Sequence, residues 1–299
     1  MKKRSNYYIG VIVLLLVANL FLFISPKNSR ADSNGRTYLE GYDLSQLKEM
    51  AFTNGAERVS FSKVGDRWKL NDSLEVDQGF FNTLLSILDR VQTTRRVSKW
   101  DGEIIGEIEL KIATKKLKLS YGTDPNQTKS YFVNQGQVSE VSVPGYQDKV
   151  IDIFRLHRDQ WRDRLVFDGS WRTIQNLTVD LYGGQDLEIS FDDKFFTLNG
   201  KQPQDSSAIV EYLNQYQYFQ ANEVISKGRF PQLDSLTSTR PLATITLDDI
   251  NYKNQLSIKI YPRLKNQNYH LVLSGDKMMV LDQVRVKNLL GLSLHSQSK

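Results

Sequence analysis

"SKVGDRWKLNDSLEVDQGFFNTLLSILDRVQTTRRVSK", residues 62–99, lies without a gap over "SFDDKFFTLNGKQPQDSSAIVEYLNQYQYFQANEVISK", residues 190–227, at a constant offset of 128. Leu70 meets Leu198, Asn71 meets Asn199, Asp77 meets Asp205, Leu85 meets Leu213, Gln92 meets Gln220, and Ser98-Lys99 meet Ser226-Lys227. Trp68 falls on Phe196. Self-similarity at a fixed spacing marks a duplicated structural unit, so whatever fold one copy adopts constrains the other.

Each copy reads the same way. "ERVSFSK" and "DLEISFD" alternate apolar and polar residues, the pattern of a strand with one wet face, and "RWKLN" and "FFTLN" follow as paired strands. Asp77 and Asp205 then stand where a short carboxylate can accept hydrogen bonds from the unpaired amides of a helix's first turn. Phe80, Phe81, Leu84, Leu85, Leu88 and Val91 form the apolar stripe of the first helix. Ile209, Tyr212, Leu213, Tyr216 and Phe219 form that of the second. Further alternating segments follow in both halves, and each half closes on a helical candidate, "QDKVIDIFRLH" or "DQVRVKNLLGL". The expectation is an α+β class: one N-terminal transmembrane helix followed by two related repeats of antiparallel sheet plus helix.

The transmembrane expectation comes from "IGVIVLLLVANLFLFIS", Ile9 to Ser25, an apolar run broken only by Asn19. With Tyr7 and Tyr8 it reaches about 18 to 19 residues, or about 28 Å as a helix, close to the hydrocarbon thickness of a bilayer. Ser29-Arg30-Ala31 would pass as a signal-peptide cleavage site, but the apolar run exceeds the usual length of a signal core, which favours an uncleaved anchor. Lys2, Lys3 and Arg4 stay cytoplasmic under the positive-inside rule, with Tyr7, Tyr8 and Ile9 at one interface and Ile24 at the other end. Asn19 reads as a tolerated polar residue. The chain thus divides into an n-region and anchor over 1–25, a polar linker over 26–37, a first repeat over 38–165 and a second over 166–299. The location implied is the bacterial inner membrane, single-pass, with the bulk of the chain extracytoplasmic.

Charge narrows the function classes. The net charge is +5, three of it at Lys2, Lys3 and Arg4, so the remainder is too balanced for a nucleic-acid binder. There is no cysteine, hence no disulfide, thiolate metal site or thiol nucleophile. The three histidines, His157, His270 and His295, have no pair at ligand spacing, and Asp192-Asp193 and Asp248-Asp249 read as turn residues. "HRDQWRDRLVFDG", residues 157–169, begins like a kinase catalytic loop. Yet Arg164 stands where the loop needs Asn, and "FDG" is not "DFG". No catalytic residue, cofactor or metal is expected, and no motif specifies a small-molecule ligand.

The stretch "VPGYQDKVIDIFRLHRDQWRDRLVFD", preceded by "YFVNQGQVSEVS" and followed by "IQNLTVDLYGGQDLEISFDDKFFTLNGK", resembles the bacterial membrane-anchored family catalogued as domain of unknown function 4340. Its shared features are an N-terminal membrane helix, a "W-x-L-N" strand before a helix, a "PG-aromatic" element, a "WRDR-x-x-F" junction and a second related half. That family has no established enzymatic activity. Some relatives are encoded beside ABC-type exporters, so the resemblance implies an accessory role in a membrane assembly. In this reading Trp161, Arg162, Asp163 and Arg164 join the two halves or contact a partner. Tyr218, off the apolar stripe of its helix, is a second candidate partner contact. The expected function is a non-enzymatic interaction or scaffold protein with other membrane-complex proteins as partners. The alternative is an envelope hydrolase or glycan-binding protein with a cleft between the repeats.

Overall fold

The computed structural model describes residues 37–290. The first half runs β1 (Leu47–Asn54), β2 (Glu57–Val64), β3 (Arg67–Leu70), β4 (Leu74–Glu75), α1 (Gln78–Arg90), β5 (Gln92–Val97), β6 (Glu103–Ile112), β7 (Lys115–Thr123), β8 (Ser130–Asn134) and β9 (Gln137–Ser142). The second begins with β10 (Leu165–Phe167), β11 (Ile174–Leu181), β12 (Leu187–Asp192), β13 (Phe195–Leu198), α2 (Ser206–Asn214), β14 (Phe219–Gln220) and β15 (Glu223–Ile225). It ends with α3 (Pro231–Leu236), β16 (Ala243–Asp249), β17 (Leu256–Ile260), β18 (Tyr269–Ser274), β19 (Lys277–Asp282) and α4 (Gln283–Leu289).

Among the described residues two large antiparallel sheets and a two-stranded one, β10-β14, result. One has nine strands in the order β4-β3-β2-β1-β6-β7-β8-β9-β5, the other eight in the order β13-β12-β11-β16-β17-β18-β19-β15. Apart from β4, the two orders are the same topology. In the first half the strand after α1, β5, forms the far edge; in the second that place is taken by β15, after β14 has paired with β10. The registers match too: Arg95, Arg96 and Val97 face Glu140, Ser139 and Val138, while Glu223, Val224 and Ile225 face Val280, Met279 and Met278.

The α+β class is corrected by this balance: among the described residues strands take 44% and helices 19%, so this part of the chain is mostly antiparallel β. One expected closing helix, "QDKVIDIFRLH", is a six-residue 3-10 turn, Val150–Arg155, and its counterpart α4 has only seven residues. The expected transmembrane segment, with Tyr7, Tyr8, Ile9, Asn19 and Ile24, lies outside the described residues. No helix among the described residues is long and apolar enough to cross a membrane.

Each sheet has its own core. Phe52, Phe61, Phe81, Leu84, Phe154 and Trp161 are buried in the first; Ile189, Phe196, Leu213, Tyr216 and Phe167 are buried in the second. Helix α1 buries Phe81, Leu84, Ile87 and Leu88, and α2 buries Ile209, Tyr212 and Leu213. Spacing of three and four residues puts each set on one helical face, and removing it from water is the main favourable term holding helix to sheet.

Candidate functional site: the junction between the repeats

Residues 157–167 carry the chain from one sheet to the other. Arg158–Trp161 is a short 3-10 turn: His157 Nδ1 accepts from the Asp159 amide at 3.2 Å, and Gln160 Oε1 accepts from the His157 amide at 2.9 Å. The kinase-like letters therefore form a short turn closed by a reciprocal capping box between His157 and Gln160. The chain then extends along the first repeat. The Asp77 amide donates to the Trp161 carbonyl and the Asp163 amide to the Glu75 carbonyl, both at 2.9 Å. From Leu165 it joins the second repeat, where β10 pairs with β14.

Trp161 is fully buried, with ring centroids 5.9, 5.2 and 4.8 Å from Phe52, Phe61 and Phe80. All three belong to the first repeat, so this ring serves one core and does not bridge two. Its indole Nε1 is buried without a hydrogen-bond partner. Arg162 lies 3.7 Å from Asp159, Asp163 accepts from the Leu165 amide at 3.0 Å, and Arg164 lies 3.6 Å from Asp77. The Arg164 carbonyl accepts from the Ala221 amide of the second repeat at 2.8 Å.

Two neighbouring side chains cross the junction: Arg158 Nη2 donates to Ser226 Oγ at 3.4 Å, and Asp159 makes the more extensive set of contacts. Asp159 is fully buried and accepts from the Ser226 amide at 2.9 Å, the Ser226 hydroxyl at 2.6 Å and Arg229 Nη1 at 3.3 Å. Burial pushes its carboxyl pKa upward, but the Ser226 hydroxyl and amide, with His157 and Arg162, outweigh this and hold it below the usual value. Arg229 also meets Glu223 at 2.7 Å. Nearby, Lys277 Nζ donates to the Leu165 carbonyl at 2.9 Å, and burial lowers its pKa against the pull of Asp163. The Asp159 contacts form a polar clasp whose acceptor precedes the second repeat and whose donors, Ser226 and Arg229, belong to it. Asp159, Ser226 and Arg229 were not singled out in the sequence as joining residues. The available signal was Ser226, which repeats Ser98.

The remaining sequence-derived residues stand apart. Asp77 Oδ1 accepts from the Phe80 amide at 3.0 Å, and Asp205 Oδ1 accepts from the amides of Ser207 and Ala208 at 2.9 and 3.3 Å. Tyr218 is exposed at a left-handed φ of 47°, and its amide donates to Asp168 at 3.2 Å. His270 Nδ1 faces the Tyr261 carbonyl at 2.9 Å. No cluster of three metal-ligating side chains occurs among the described residues. A cavity of about 470 Å³ opens on the first repeat between α1 and the "PGY" segment, lined by Phe80, Ile87, Arg90, Pro144, Tyr146 and Ile153 among others.

No family model, curated protein or solved structure matches this chain.

Proposed function

We propose that the chain is an extracytoplasmic interaction and scaffold protein, held at the bacterial inner membrane by its apolar leader. It serves as an accessory subunit of a membrane complex such as an ABC-type exporter. The run Ile9 to Ser25 supports the location, and the family resemblance supports the class of complex. In this role it makes and breaks no bond.

The observation that carries the reading is the closed junction. A hydrolase or glycan binder built on a duplicated fold needs an open cleft in which carboxylates from separate strands converge, with at least one pKa displaced toward neutrality. Here the buried carboxylate between the repeats, Asp159, is displaced the opposite way and is saturated by Ser226 and Arg229. A two-sheet body whose junction is closed by such contacts suits a scaffold. The test is purification at native expression level from membranes in mild detergent, after brief crosslinking. Reciprocal recovery with the membrane subunits of an exporter is the expected result. Recovery of the chain alone, or from the soluble fraction, overturns the proposal.

A further inference from the structure

The two sheets end in equivalent edge strands, and those edges are treated differently. In the second repeat, β14 is covered by β10, with Leu165 facing Gln220, and the cover extends toward β15 through the Ala221 amide donating to the Arg164 carbonyl. It ends with Asp159 accepting both the amide and the hydroxyl of Ser226, just past β15. In the first repeat the same cover starts at the equivalent place. Thr37 bridges Gln92 as Leu165 bridges Gln220, and the Tyr38 amide donates to the Val91 carbonyl at 2.7 Å. Beyond that point the described residues supply nothing. Thr94, Arg95 and Arg96 of β5 are exposed, and Ser98, the counterpart of Ser226, is exposed with no hydrogen-bond partner among the described residues.

We propose that the outer edge of β5, from Thr93 to Val97, is a docking strip for an extended acidic segment of a partner protein, which adds as a further strand and places a carboxylate on Ser98. The inference rests on the interaction-protein reading above and deepens it by naming the surface and the chemistry of its occupant. An uncovered strand edge is a row of unpaired amides and carbonyls, a template for one more strand. Charge selects the occupant. Arg96 stands where the second repeat has Val224, and with Lys99 it is exposed and without an ion pair among the described residues. Arg95 is held by Glu140 at 2.9 Å, so Arg96 and Lys99 are the cations available to an acidic strand. The chain's own upstream stretch, "RADSNGR", has two arginines to one aspartate and no residue of high strand propensity, and so complements this edge poorly.

The test uses the full chain and a fluorescein-labelled heptapeptide of alternating aspartate and valine, with a second peptide of equal charge whose central residues are replaced by proline. The alternating peptide should bind about tenfold or more tightly than the proline form, because proline removes ladder donors. Arg96→Glu with Lys99→Glu should weaken binding by about tenfold, and Ser98→Ala by severalfold, with unchanged melting temperature. Amide exchange should slow across residues 93–98 on binding. Equal binding of both peptides, protection elsewhere, or indifference to the charge reversals overturns the proposal. So does a tenfold gain in affinity when residues 29–36 of the full chain are replaced by Gly-Ser repeats, since the chain's own segment is then the occupant. Peptide binding without a co-purifying membrane complex removes only the exporter role. A membrane complex without peptide binding removes only the docking strip.

Discussion

A carboxylate with no exposed surface is tolerated where protein donors replace the lost water. Asp159 meets that requirement with three donor groups from across the junction, and this makes its ionisation part of the stability of the fold. Its folded pKa is depressed, so its contribution is fully present above the unfolded carboxylate value near about 3.9 and is lost as pH falls through the lower folded value. Denaturant midpoints measured between about pH 2 and pH 5 should therefore fall less steeply toward acid in Asp159→Asn than in the natural protein. Identical slopes would show that the residue does not carry the linkage. Trp161 makes a contrasting case. Replacement by Ala removes a ring seated among Phe52, Phe61 and Phe80 and should cost about 3–5 kcal/mol by equilibrium unfolding. An unchanged melting temperature would contradict that burial. The sequence drew attention to Trp161 through its size and its setting among arginines, but Asp159 finds Ser226 and Arg229 at separations of 67 and 70 residues. No local pattern encodes a contact at such distance.

The identity of Asn71 and Asn199 in the sequence repeat acquires a physical reason at the end of the second hairpin of each half. Both have left-handed φ, 47° and 49°, which asparagine tolerates better than most side chains. Each side-chain oxygen accepts from a backbone amide of the neighbouring strand, Ser60 at 3.0 Å and Glu188 at 2.8 Å, while each amide donates back to the carbonyl of that same residue. The corner thus extends the ladder by one pseudo-pair. Asn71→Ala loses the acceptor and keeps the strained backbone, for a cost of about 1–2 kcal/mol; Asn71→Gly relieves the strain and should recover part of it. Equal melting temperatures for the two variants would remove the backbone argument. Asp77→Ala, which uncaps α1, should cost about 0.5–2 kcal/mol. These strands, helices and caps were legible because period and cap chemistry are local. Residues 150–155 were not: Val150, Ile151 and Phe154 are spaced as on a helix, but the chain is extended again at Leu156 after six residues. β5 was not legible either, since "QTTRRV" has no apolar alternation and is a strand only because β9 pairs with it.

Two main cores, each with its own sheet and helix, joined by the side-chain contacts around buried Asp159 and the Ala221–Arg164 backbone bond, make the coupling between repeats a measurable quantity. Asp159, Ser226 and Arg229, with Arg158 reaching Ser226 Oγ at 3.4 Å, contribute the side-chain part; the Ala221–Arg164 backbone bond contributes the rest. Removing Asp159 strands the Ser226 amide and hydroxyl, while Arg229, the third donor, keeps Glu223, so Asp159→Ala alone overstates the worth of the clasp. A cycle of Asp159→Ala, Ser226→Ala and the double variant isolates the pair, and an interaction energy of about 0.5–3 kcal/mol is expected because the groups are in direct contact. The same variants bear on cooperativity. With the clasp intact the two cores should melt together in one calorimetric transition. Asp159→Ala with Arg229→Ala should separate them into two, one of which retains the tryptophan fluorescence change of Trp161 and Trp68 in the first core. A single transition persisting in that double variant would assign the coupling to the Ala221–Arg164 backbone bond and the connecting chain. Additive single-variant effects in the cycle would mean that Asp159 acts within its own repeat and does not join the two.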